Sequence, residues 1–142
     1  MEASSSNSPK TFTLSEANAL LPSVKALIEQ LQGLQRSIAQ TTQQLDELVS
    51  KLSQGDGYPI HALKDQIVNV ARHQLQLIEA FQSALNSLQE LGCELKDLAL
   101  GLVDFYGMRE GELVYLCWKL GEDQIHFWHT LEGGYASRQA LD

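Results

Sequence analysis

Residues 20–52 read LLPSVKALIEQLQGLQRSIAQTTQQLDELVSKL, and residues 60–91 read IHALKDQIVNVARHQLQLIEAFQSALNSLQEL. In the first stretch Leu20, Val24, Leu27, Leu31, Leu34, Ile38, Thr41, Leu45, Leu48 and Leu52 recur at alternating steps of four and three. In the second, Ile60, Leu63, Ile67, Val70, Gln74, Leu77, Phe81, Ala84, Leu88 and Leu91 do the same. This is the seam spacing of helices paired in a coiled coil. Folding the chain back near Asp56 sets Leu52 against Leu63, Leu48 against Ile67, Leu45 against Val70, Ile38 against Leu77 and Leu34 against Phe81. The polar member of each stripe, Thr41 and Gln74, then falls in one layer. A polar layer inside an apolar seam fixes register at a cost in stability.

Local signals bound both helices. Thr13 and Glu16 have the spacing of a capping box, with Phe12 and Ala17 placed as a hydrophobic staple. Pro22 predicts a kink or a short first turn, because proline inside a helix removes a hydrogen bond and clashes one turn back. Gln54 to Pro59, with two glycines and a proline, is the break between the rods, and Gly92 is the expected left-handed cap of the second helix. From Leu14 to Leu52 the first helix would extend about 58 Å.

A different pattern follows. Gly101 to Phe105, Leu113 to Lys119 and Gln124 to His129 predict three strands, with turns at Arg109-Glu110-Gly111 and Gly121-Glu122-Asp123. The expected fold class is therefore α+β: a long antiparallel two-helix coiled-coil hairpin followed by a small three-stranded antiparallel β-meander. Residues 1–10 form a Ser-rich tail expected to be disordered. Residues 11–142 form a single domain, with the hairpin over 11–92 and the meander and carboxy-terminal tail over 93–142. Short strands cannot cover so long a hairpin. The sheet is expected near its base, where Leu21 and Ile28 widen the apolar face. Further along, Val49, Val68, Ala71, Leu75, Ile78 and Leu85 widen it beyond what a two-helix seam needs. A second copy of the chain is the expected cover, giving a homodimer through the helices.

The net charge of −8 argues against nucleic acid and anionic membranes as partners. Residues 93–142 hold nine Asp or Glu against four Lys or Arg. No apolar run approaches the roughly 20 residues of a membrane span, and the start lacks the apolar core of a signal peptide. Two cysteines are too few for a disulfide framework, so a cytoplasmic location is expected.

The carboxy-terminal blocks Gly101-Leu102-Val103-Asp104-Phe105, Cys117-Trp118-Lys119-Leu120-Gly121-Glu122 and Phe127-Trp128-His129 carry a resemblance, together with Gly134-Tyr135 and Ser137-Arg138. With the opening Thr13 to Pro22, they make the chain resemble the uncharacterised bacterial family DUF2203 over Thr11 to Leu141. Tyr106 stands where many relatives have Pro, and Ser137 where they often have Gly. The resemblance implies kinship and brings no activity with it.

The residues themselves offer two function classes. One is an oligomeric interaction or assembly module. The other is a small-molecule or metal-binding protein, an enzyme included, with its site in the β region. The ligand candidates are Asp104, Glu122, His129 and Arg138. The candidates for a divalent metal are Asp104, Cys117, Glu122, His126 and His129, which include every side-chain type a transition metal favours. An Arg109-Glu110 turn would pair Asp104 with Tyr115, and a Leu120 to Asp123 turn would pair Cys117 with His126. Asp104, Tyr115, Cys117, His126 and Trp128 would then share the open face. Phe127 and His129 would join Val103, Phe105, Val114, Leu116, Trp118 and Ile125 against the helices. Arg138 could grip a carboxylate ligand, or pair with Asp104 or Glu122 to pin the tail. No phosphate loop, dinucleotide fingerprint, zinc-protease helix or nucleophile elbow is present.

Overall fold

The computed structural model describes residues 9–55, 57 and 59–141. Most of the predicted amino-terminal tail, and the fold-back residue Asp56, lie outside the described residues. Pro9 and Lys10 are exposed. Helix α1 runs Leu14–Gln54 and α2 runs Ile60–Glu90. Five strands follow: β1 Glu94–Asp97, β2 Leu102–Arg109, β3 Glu112–Lys119, β4 Phe127–His129 and β5 Gln139–Ala140. All neighbours are antiparallel and the order is sequential. The class is α+β, with two long helices and a five-stranded meander in place of the expected three strands. The two added strands carry little pattern. β1 is a short charged Glu-Leu-Lys-Asp with a bulge after Leu95, and β5 is a two-residue edge. Among the described residues no helix is long and apolar enough to cross a membrane.

The chain forms two compact units. One holds residues up to Ile28 together with Asn86 onward, and the other spans Glu29–Leu85. In the first, the capping box is made as its spacing requires. Thr13 N–H donates to Glu16 Oε1 at 2.8 Å and Glu16 N–H to Thr13 Oγ1 at 3.1 Å. The helix is continuous through Pro22, whose side chain is exposed. Phe12 ties the chain start to the sheet. Its N–H donates to Tyr106 O, and its buried ring meets Phe105 edge-on at 5.3 Å. Gly92 ends α2 at φ 101°, the left-handed region, and a Cβ there would sit 2.4 Å from Phe12 Cζ. Leu21, Val24, Ile28 and Leu88 join Val103, Phe105, Leu116 and Trp118 as buried core.

In the 29–85 unit the two helices meet antiparallel. Gln74 Nε2 donates to Thr41 Oγ1 at 3.0 Å and to Thr42 Oγ1 at 2.9 Å. A shallow groove brings Leu48 and Lys51 of α1 beside Gln66, Asn69 and Val70 of α2. Both contacts agree with the register that sets Leu48 by Ile67. Thr41 is buried and spends its own proton on Ile38 O, at 2.7 Å. Replacing Thr41 and Gln74 together with Leu should raise the melting temperature by several degrees, since two apolar side chains replace a polar layer. It should also admit alternative alignments, detectable as new cross-links between single cysteines placed on the two helices. A double variant that melts lower would show that the layer is not a register device.

Candidate functional site

The sheet has one face against the helices and one face of mixed polarity, and its register decides which residues share which. Between β2 and β3 the turn is Glu110-Gly111, both with positive φ at 52° and 82°. That two-residue turn matches the twist of a hairpin. It pairs Arg109 with Glu112, and so Asp104 with Cys117. Tyr115, expected opposite Asp104, instead pairs with Tyr106. The shift is by two residues, so the faces keep their membership.

Between β3 and β4 the shift is odd, and it changes the site. Cys117 pairs with Phe127, where His126 was expected, and Tyr115 pairs with His129. A one-residue slip moves every side chain of a strand to the other face. His129 and Phe127 therefore join Asp104 and Cys117, while Trp128 pairs with Leu116 on the opposite face. The connection from Leu120 to His126 causes this. The Glu122 carboxylate folds back to accept Lys119 N–H through Oε1 at 2.9 Å, and Trp118 Nε1 donates to Glu122 O at 2.9 Å. Ile125 is buried and its N–H goes to Asn18 Oδ1 of α1 at 2.8 Å. Residues 124–126 thus make no pair with β3, and β4 starts only at Phe127, although His126 O still accepts Leu141 N–H at 2.7 Å beyond β5. His126 is left exposed, bonded to Asp123 Oδ1 at 2.8 Å, and takes no part in the cluster.

Asp104, Cys117 and His129 come from three successive strands and are all buried. His129 Nε2 lies 3.1 Å from Asp104 Oδ2, and its Nδ1 lies 2.7 Å from Thr130 O. A carbonyl can only accept, so Nδ1 carries a proton. One further proton is shared between Nε2 and the Asp104 carboxyl. Burial raises the Asp104 carboxyl above the usual carboxylate range despite the pull of His129. The Cys117 thiol is pushed up to about 12, first by burial and then by the Asp104 carboxylate. At neutral pH it is an unionised thiol, which is a poor nucleophile.

Arg138 sits beside this cluster. Nη1 donates to Glu122 Oε2 at 3.0 Å and lies 4.0 Å from Cys117 Sγ. Its guanidinium stacks over Phe127 at 4.0 Å and Tyr135 at 4.3 Å. The four ligand candidates therefore form two pairs, Asp104 with His129 and Arg138 with Glu122, and Cys117 lies by both. A second network adjoins them. Tyr115 Oη donates to Glu94 Oε1 at 3.1 Å, Tyr106 and Tyr115 hydroxyls lie 3.2 Å apart, and Lys96 Nζ pairs with Glu94 at 2.8 Å. No sequence signal pointed to Glu94 and Lys96, because β1 is too short to carry a readable pattern. On the opposite face a cleft of about 590 Å³ is lined by Arg109, Glu110, Glu112, Trp128 and Glu132, among others. The Arg109 guanidinium stands 4.9 Å over the Trp128 ring there.

Neither a curated protein nor a solved structure matches the chain. A family match does cover the elements just described, from the segment before the capping box to the last strand. The chain belongs to the family described as an uncharacterized conserved protein (DUF2203), which it matches over residues 10–141.

Proposed function

We propose that the protein is a homo-oligomeric assembly module, in which the 29–85 unit pairs with the same unit of a second copy. The observation that carries this reading is the exposure of that unit's apolar side chains. Val68, Leu75 and Ile78 are 51, 57 and 45 % exposed, on one helix at heptad-like spacing. The seam beside them is itself only half-buried at Leu34, Ile38, Leu45, Leu48, Ile67, Leu77 and Phe81. Two helices alone cannot enclose these side chains, and a soluble chain rarely leaves such a stripe wet. A symmetric partner would cover it with the same stripe in return, as an isologous contact requires. The helices would then meet as antiparallel coiled coils in a four-helix bundle. The setting in this reading is the cytoplasm, supported by two buried free thiols, Cys93 and Cys117.

Light scattering should return about twice the 15.8 kDa of one chain. Ile78→Glu should return a monomer or a chain with lost helicity, because a charge in the new seam costs several kcal/mol. An unmodified chain that stays monomeric and folded at high concentration would overturn the reading.

A further inference from the structure

Asp104 is not fully explained by its own hydrogen bonds. Oδ2 faces His129 Nε2 at 3.1 Å, whereas Oδ1 is buried with no partner at hydrogen-bonding geometry, and the Cys117 thiol is the carboxyl's other close polar neighbour. Native proteins satisfy nearly all such atoms, because leaving one bare costs about 1–3 kcal/mol. Cys117 completes the surroundings: its Sγ, a carboxylate oxygen of Asp104 and a ring nitrogen of His129 all lie within 4.8 Å of one another. His129 presents Nε2 to this group while Nδ1–H is fixed on the Thr130 carbonyl. An imidazole anchored through one nitrogen and open at the other is how metal-ligating histidines are held.

We infer that Asp104, Cys117 and His129 bind one divalent transition-metal ion of the zinc class. The inference is independent of the assembly reading. The ligand types select the metal, since thiolate and imidazole suit zinc and its neighbours whereas calcium and magnesium take oxygen. Around a tetrahedral zinc, ligand atoms stand about 3.2–3.8 Å apart. The Nε2 to Oδ2 spacing is already near this value, and the widest spacing closes with a movement of about 1 Å. Binding releases two protons to solvent, the thiol proton and the one shared by Asp104 and His129. Carboxylate and thiolate then balance the divalent charge. The Arg138 charge near Sγ is met by Glu122 at 3.0 Å, so it does not oppose the ion unscreened. Three protein ligands leave a fourth position for water.

Cobalt(II) is the probe. Chelator-stripped protein titrated with Co²⁺ should develop a sulfur-to-cobalt charge-transfer band and the visible bands of a four-coordinate ion. Both should saturate at one equivalent and be displaced by Zn²⁺. Cys117→Ser should abolish the charge-transfer band, and Cys93→Ser should keep it. Asp104→Asn should weaken binding at least tenfold without unfolding the chain, because the new amide can donate to His129 Nε2. Circular dichroism reads the fold of each variant. Should Cys117→Ser fail to fold, X-ray absorption on the zinc form of the unmodified chain decides, with one sulfur expected in the first coordination sphere. No band and no retained zinc in the folded parent would overturn the site. So would a band that survives Cys117→Ser, or a coordination sphere without sulfur.

Discussion

Phe12→Ala should cost about 3–5 kcal/mol, the range for truncating a well-packed aromatic, and lower the melting temperature by roughly 10 °C or more. The ring is 6 % exposed, meets Phe105 edge-on, and lies against the Cα of Gly92. Gly92→Ala should cost roughly 2–4 kcal/mol through two separate effects. At φ 101° any side chain is strained, and the new Cβ would sit 2.4 Å from Phe12 Cζ. The two substitutions should couple. With the ring gone the clash goes too, so the double variant should be less destabilised than the sum by about 1–3 kcal/mol. Urea unfolding of all four proteins measures this. Additive losses would mean that Phe12 is not what reserves position 92 for glycine.

Asp104→Ala and His129→Ala, each in the presence of a chelator, should cost about 3 kcal/mol apiece. Each leaves a buried polar partner without its mate, at a place where both side chains are 3 % exposed. Asp104→Asn should cost about 1 kcal/mol or less, since an amide hydrogen bond to Nε2 replaces the shared proton. This ranking separates the stability of the pair from its capacity to bind an ion. The asparagine variant keeps the fold and loses a metal ligand. Alanine variants within about 0.5 kcal/mol of the parent would place them with ordinary surface substitutions and deny the pair any part in holding β2 to β4.

How much was legible differs between the two halves of the chain. Helix bounds, the capping box at Thr13 and Glu16, the cap at Gly92 and the Thr41–Gln74 layer are all local or strictly periodic. A period of 3.5 residues repeated over ten positions in each helix leaves little freedom in how they pair. The faces of β2 and β3 were legible for the same reason, because a two-residue period survives an even error in register. The site was only partly legible. Asp104 and Cys117 were placed on one face, but His129 was assigned to the other.

The amino-acid sequence by itself determined two long amphipathic helices, their antiparallel alignment, an α+β class and the identity of the polar residues that collect near the end. Tertiary structure alone decided which of those residues meet. The Glu122 carboxylate takes the Lys119 amide, and Asn18, more than a hundred residues away, takes the Ile125 amide. Those two hydrogen bonds keep residues 124–126 from pairing with β3 and set the β3–β4 register one residue later than the turn length suggested. Side chains alternate across a strand, so that single step carried His126 out to solvent and turned His129 onto Asp104 and Cys117. No periodicity within residues 120–129 encodes the choice, because the groups that make it lie on other elements.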